Sequence, residues 1–198
     1  MSQLRQHQVC LVDSDLRLRP MGEQDWDLLL RWNNDPEVLY FVEDDDITSW
    51  SLEDMQEMYR GVSQQAYVFV IEVEGRPVGE CWLQEMNLQH IAERFAGEDV
   101  RRIDLMIGEK EMWGHGYGTR TIGLLVRFAF EQEGADLIYE PGIGGHNPRS
   151  RRAFERNGFT LDHARPLPPG AKADQAFELV LTRKACDRLS QGSPACKT

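Results

Sequence analysis

Trp113-Gly114-His115-Gly116-Tyr117-Gly118-Thr119 alternates glycine with larger residues. The apolar run Ile103 to Ile107, interrupted by Asp104, comes just before it. A helical pattern from Thr119 to Glu133 follows, with Ile122, Leu125, Val126, Ala129 and Phe130 on one side. Strand, glycine turn and helix start present backbone N–H groups to an anion, because glycine lets a ligand approach the main chain and the helix N-terminus adds unpaired donors. The stretch is not G-x-x-x-x-G-K-[ST], since no lysine stands in place, and it is not G-x-G-x-x-G. A tight turn with no ligand is the plainer reading of the glycines alone.

Downstream, Gly134 reads as a helix C-cap, Leu137-Ile138-Tyr139 as a short buried strand and Pro141 to Gly145 as a loop. Asn147-Pro148 opens a helix that Asn157-Gly158 ends, and Phe159 begins a strand. A proline-rich loop over 161–172 and a last strand from Phe177 to Leu181 complete this half. Upstream, Leu16 to Pro20 reads as the first strand, and Gln24 to Asn33 as an amphipathic helix stopped by Asp35-Pro36. Residues 37–50 read as irregular. Ser51 caps a helix reaching about Gly61, and two strands, Tyr67 to Ile71 and Val78 to Met86, meet at a Glu74-Gly75 hairpin turn. Residues 87–100 read as a mobile connection. The order predicts an α/β (α+β) fold with a mixed sheet. One domain is expected over 16–185, with a flexible arm over 1–15 and a flexible tail over 186–198.

Hydrophobic residues at 41% and charged residues at 28% suit a globular protein. No apolar run reaches membrane-spanning length, and the polar start lacks a signal-peptide layout, so a cytoplasmic protein without membrane partners is expected. The four cysteines have no close pairing, and no histidine has companion ligands, so neither a disulfide framework nor a metal is expected. A net charge of -11 disfavours nucleic acid. Such a charge can serve solubility alone, or its field can draw in a cationic partner. Glu43-Asp44-Asp45-Asp46, beside Tyr40, Phe41 and Trp50, fits either a solvated loop or recognition of an amine-rich ligand.

These residues resemble the GCN5-related N-acetyltransferase (GNAT) family. Its loop pattern [RQ]-x-x-G-x-[GA] is matched at Trp113 to Gly118, and its later Asn…Tyr-x-x-x-G-F signature at Asn147…Phe154-Glu155-Arg156-Asn157-Gly158-Phe159. The likeness spans roughly Leu16 to Leu181. It implies a mostly antiparallel central sheet flanked by helices, with a splay between the fourth and fifth strands. It also implies acetyl-CoA as cofactor and coenzyme A as product. The pyrophosphate would sit on the amides of Gly114, His115, Gly116, Tyr117, Gly118 and Thr119, and the pantetheine beside Leu105, Met106 and Ile107. Asn147 and Arg152 are further expected coenzyme contacts, although Asn147 can equally be a helix N-cap and Arg152 part of a solvated face. Trp113 departs from the usual Arg or Gln. Phe154 stands where many relatives have a Tyr that protonates the leaving thiolate.

Within the family, the Ile103-Asp104 strand at its distance from the loop most resembles the aminoglycoside 6'-N-acetyltransferases. There an aspartate contacts the reactive amine and is assigned as base, which carries a catalytic role to Asp104. An amine must lose a proton to attack a thioester, and a neighbouring carboxylate can take it. Pairing of Asp104 with Arg101 or Arg102 is the structural alternative. Glu140-Pro141 resembles an Asp-Pro that binds the sugar amines. The expected substrate contacts are Glu43, Asp44, Trp50, Glu98, Asp99, Asp104 and Glu140. The expected acceptor is a cationic small amine, an aminoglycoside acetylated at the 6'-type position with antibiotic resistance as the consequence, and the expected enzyme a monomer or homodimer. Another amine acceptor (a polyamine, a protein N-terminus or lysine, a siderophore) and a catalytically weak acyl-CoA-binding module are the alternatives.

Overall fold

The computed structural model describes residues 3–42 and 47–192. Eight strands form in chain order: β1 (Leu11–Asp13), β2 (Leu16–Pro20), β3 (Ala66–Val73), β4 (Arg76–Glu85), β5 (Val100–Ile107), β6 (Leu137–Gly144), β7 (Thr160–Pro166) and β8 (Gln175–Thr182). Their order in the sheet is β1-β2-β3-β4-β5-β6-β8-β7. The β1–β2, β2–β3, β3–β4, β6–β8 and β7–β8 pairs are antiparallel. β5 runs parallel to β6, through Val100–Leu137 and Arg101–Ile138. The strands expected as fourth and fifth are therefore β5 and β6. The helices are α1 (Trp26–Trp32), α2 (Pro36–Val42), α3 (Leu52–Ser63), α4 (Gln89–Arg94), α5 (Tyr117–Arg127), α6 (Pro148–Arg156) and α7 (Arg183–Gly192). The mixed α/β sheet expected from the sequence is present, and no helix among the described residues is long and apolar enough to cross a membrane.

Local chemistry accounts for most of these elements. The β3–β4 hairpin turns at Glu74 (φ 52°) and Gly75 (φ 78°), the two left-handed residues that a tight hairpin turn requires. Ser51 Oγ accepts the Asp54 N–H and starts α3. Gly134, at φ 78°, ends the helical run that begins with α5 and closes in a π turn over Phe128–Gln132.

Several expectations need correction. Asp35-Pro36 does not begin an irregular stretch. Asp35 Oδ1 accepts the Glu37 N–H at 2.9 Å, and Pro36 becomes the first residue of α2, where a missing N–H costs nothing. The 87–100 connection contains α4, the 161–172 loop begins as β7, and residues 183–192, expected in large part as tail, form α7. The expected arm over 1–15 contains β1, and its earlier residues are docked. Leu4 is buried, and Arg5 donates from Nε to Ser63 O at 2.7 Å and from Nη2 to Ala66 O at 3.1 Å. His7 Nε2 lies 2.9 Å from Val68 O, with its ring edge-on to Tyr67 and Phe69. Polar composition hid this, because the bonds go to backbone carbonyls far along the chain.

The chain packs as two compact units, residues 1–84 with 103–124 and residues 85–102 with 125–198. The first has a core that includes Met21, Trp26, Leu29, Trp32, Tyr59 and Met106. The second gathers Ile91, Val100, Leu137 and Tyr139, with Phe95 against them. In the second unit the Tyr139 hydroxyl donates toward Asp162 (2.8 Å) and Glu178 (2.7 Å), while Arg94 binds Asp162 through two nitrogens. Burial and the two carboxylates push the Tyr139 phenol far above its ordinary pKa, so it stays protonated.

Two outcomes follow from this packing. A Cβ on Gly79 would lie 2.1 Å from Met106 O and 3.0 Å from Ile107 Cα, both main-chain atoms. Gly79→Ala should therefore lower stability by about 1–3 kcal/mol, measured by urea unfolding. Burial outweighs the Val68 hydrogen bond and holds the His7 pKa below its ordinary 6.5. The unfolded chain then takes up a proton at higher pH than the folded one, so stability falls as pH drops below about 6.5. Thermal melts across that range should show the slope, and His7→Leu should flatten it.

Candidate functional site

The first unit carries the glycine turn. β5 leaves the sheet at Ile107, and Gly108 lies flat on Trp32, where a Cβ would come 2.2 Å from the indole Cγ. Glu109 is then buried. Its Oε1 accepts from Trp32 Nε1 at 2.9 Å and from Arg31, and its Oε2 from Arg76 Nη2 at 3.3 Å. Burial pushes the carboxyl pKa up, but these donors outweigh it and hold the group below the usual carboxylate range. A 3-10 turn over Lys110–Met112 leads to Trp113, whose indole N–H donates back to Ile107 O at 2.6 Å.

The turn itself adopts the conformation that its glycines allow. Gly114 stands at φ 81° and Gly116 at φ 86°, and around the Cβ position of each there is open space. Left-handed residues alternating with ordinary ones point successive N–H groups to one side, the geometry of an anion nest. α5 begins at Tyr117, so its first-turn donors and dipole add to the nest. Gly118 faces Leu105, with a Cβ position 3.4 Å from its Cδ1. Thr119 lies half-buried in the same first turn, and His115 is exposed, with Nδ1 3.1 Å from Trp113 O. The open cradle and its donor set fit a pyrophosphate.

Asp104 is half-buried on β5, between buried Ile103 and half-buried Leu105, with Met106 buried and Ile107 half-buried beyond. Strand alternation puts Asp104 on the same face as half-buried Arg102 and buried Val100 and Met106. Arg101, one of the two arginines weighed as its partner, binds Asp99 through two nitrogens. Trp50, also in the first unit, is clamped by one side chain: Asn34 Oδ1 accepts the Trp50 N–H at 2.9 Å and Asn34 Nδ2 donates to Trp50 O at 3.0 Å. Glu43 and Asp44 lie outside the described residues.

The second unit holds the other expected residues. Glu98 and Asp99 line a cavity of about 410 Å³ together with Glu85, Phe95 and Arg101. Asp99 is engaged by the Arg101 guanidinium at 2.5 and 2.8 Å, so its charge is matched locally. Glu140 is buried on β6, its Oε1 accepting the Gly142 N–H at 3.2 Å beside a bulge in the β6–β8 pairing. Asn147 is the N-cap of α6, accepting the Ser150 N–H at 3.1 Å. Arg152 is exposed. Phe154 is 2% exposed and meets Phe159 edge to face at 5.0 Å. Among the described residues, no group of three His, Cys, Asp or Glu is placed to hold a metal ion.

A β-strand running into a left-handed glycine turn at a helix start, within a mixed sheet, is a frame for a phosphorylated ligand. The chain belongs to the GNAT acetyltransferases: the model of the acetyltransferase (GNAT) domain matches residues 15–160. It is 25% identical over 182 residues to the aminoglycoside N(6')-acetyltransferase type 1 of Klebsiella pneumoniae, covering 89% of this chain and 87% of that protein. Its fold matches the solved structure of AAC(6')-Ib with ribostamycin and coenzyme A, with TM-score 0.73 and 23% identity over 92% of this chain and 100% of that one. It also matches spermidine N-acetyltransferase from Vibrio cholerae in complex with CoA and spermine, with TM-score 0.71 and 17% identity over 88% and 99%.

Sequence reading passed over Asn34 and Glu109. Asn34 ends a helix within Asn-Asn-Asp, which reads only as a stop signal, and Glu109 precedes a charged pair that reads as surface. The Asn147 cap gives a direct measurement. Asn147→Ala should lower stability by about 1 kcal/mol in urea unfolding, and Asn147→Asp should recover most of it.

Proposed function

We propose that this acetyltransferase moves the acetyl group of acetyl-CoA to a primary amine of an aminoglycoside, at the 6'-type position, and so confers resistance. The observation that carries the reading is Asp104 on the same strand that feeds the nest of Gly114 and Gly116. The relation to aminoglycoside N(6')-acetyltransferases supports the acceptor class. Bound acetyl-CoA supplies the thioester. The amides from Gly114 to Thr119 hold its pyrophosphate, and Leu105, Met106 and Ile107 flank the pantetheine. Asn147 and Arg152 are further coenzyme contacts in this reading.

Asp104 attracts the ammonium and then takes its proton, directly or through water, as the nitrogen attacks. N–H groups of β5 near Leu105 to Ile107 polarise the carbonyl as the C–N bond forms and the C–S bond breaks. Phe154 carries no exchangeable proton and is enclosed in the core. The thiolate therefore leaves unassisted and takes its proton from water, which its modest basicity permits. Trp50, Glu43, Asp44, Glu98, Asp99 and Glu140 are, each taken singly, the candidate acceptor contacts of this reading. Acetylation removes a charge and its hydrogen-bond donors from the drug, weakening its contacts to RNA phosphates. We place the enzyme in the cytoplasm, as a monomer or homodimer.

The likeness to a spermidine N-acetyltransferase structure favours a second reading, in which the acceptor is a polyamine. Thiol release from acetyl-CoA should be measured with kanamycin, ribostamycin, spermidine and spermine. Turnover on the aminoglycosides supports the first reading, and turnover confined to the polyamines replaces it with the second. Asp104→Asn should lower kcat on the accepted amine by at least ~10²-fold while coenzyme A still binds. Near-normal turnover removes Asp104 as the base.

A further inference from the structure

Two side chains from the stretch that leads into the glycine turn reach across to α2, at opposite ends of it. Lys110 Nζ lies 2.9 Å from Asp35 Oδ2 and 2.6 Å from Glu37 Oε1, at the start of the helix. Asp35 does two jobs there. Its Oδ1 caps the N–H of Glu37 while its Oδ2 meets the ammonium. The Lys110 hydrogen bond holds the Asp35 carboxyl below its ordinary pKa, so the pair stays charged through neutral pH. Toward the other end of α2, the Phe41 ring meets Trp113 edge to face, at 5.7 Å and 88°. Val38 and Leu39 between them are buried in the first unit, so α2 is itself anchored.

Trp113 is the residue before Gly114, and its indole N–H closes the segment back onto Ile107 O. Lys110 and Trp113 together therefore leave the segment 107–113 little freedom to change shape. Both contacts go to a helix that contributes no residue to the proposed coenzyme contacts. A nest binds an anion only when its N–H groups already converge, so a lead-in that holds the turn in place lowers the ordering required on binding.

We propose that α2 is a splint for the coenzyme turn, with Lys110, Phe41 and Trp113 as positioning residues that set affinity for coenzyme A without touching the reacting atoms. The proposal rests on the coenzyme reading given above. It also assigns Trp113 a task. Where the family pattern has Arg or Gln, this chain has an indole that ties the turn to its strand and to α2.

Calorimetric titration with coenzyme A alone, with thermal melts of each variant as the control, provides the test. Lys110→Met should weaken binding about two- to fivefold, the range for an exposed ion pair. Phe41→Leu should weaken it about two- to tenfold, the range for an aromatic edge contact. The double variant should lose about four- to fiftyfold, raise KM for acetyl-CoA and leave kcat within about twofold. Lys110→Arg, which keeps the charge, should bind like wild type. Wild-type protein that binds no coenzyme A overturns the coenzyme reading itself. Wild-type binding with the double variant within twofold overturns the splint alone. So does a double variant whose kcat and melting temperature fall together, because that is loss of fold.

Discussion

The buried carboxylate of Glu109 is the constraint on which the end of β5 depends. Three donors from two elements converge on it, Arg31 and Trp32 from α1 and Arg76 from the start of β4. Removing any one would leave a buried charge short of a partner, which is costly. Glu109 N–H also donates to Val78 O at 3.0 Å, so the main chain is held at the same residue. With Gly108 pressed on the Trp32 ring, the chain can leave the sheet in one direction only, and the glycine turn begins from that direction. The two left-handed glycines then meet the start of α5 in a fixed relation to the strand that carries Asp104.

Much of the fold was legible because its signals are local. The Glu74-Gly75 hairpin, the Ser51 cap and the Gly134 stop each rest on a few adjacent residues, and each is found where those residues stand. The elements that were missed depend on partners far along the chain. Pro36 reads as a helix stop until Asp35 is seen capping the next helix, and Arg5 and His7 read as a polar arm until their partners in residues 63–69 are known. Short helices such as α2 and α4 lack the length for a periodic signal, so packing rather than propensity decides them.

The site divides in the same way. The glycine turn could be read from sequence, since the spacing of its glycines before a helix start is what defines it. The Glu109 cluster could not, because Arg31, Arg76 and Glu109 lie tens of residues apart and each reads singly as a surface charge. Asn147 shows how a motif residue can carry two readings at once. The cap is visible in its hydrogen bond from the Ser150 N–H, and the motif position is the same residue.

The charge of the protein sets one more condition on the proposed chemistry. At -11, its field attracts a polycationic acceptor and repels a phosphorylated coenzyme. The cation nearest the helix start, Arg120, does not offset this. Its guanidinium donates to Asp13 Oδ2 at 2.9 Å and Asp15 Oδ1 at 2.7 Å, so its charge is already matched. At the turn itself, attraction for the phosphates then comes from dipoles rather than from a side-chain charge. Backbone N–H groups in a nest act at short range and carry no charge that would repel a cationic acceptor. Such dipoles help only if they converge before the ligand arrives, since no long-range attraction compensates for ordering them afterwards. An acidic enzyme of this kind therefore needs a stiffer turn than a basic one would. The Glu109 cluster, the Trp113 bond to Ile107 and the contacts to α2 supply that stiffness from three sides of one short segment.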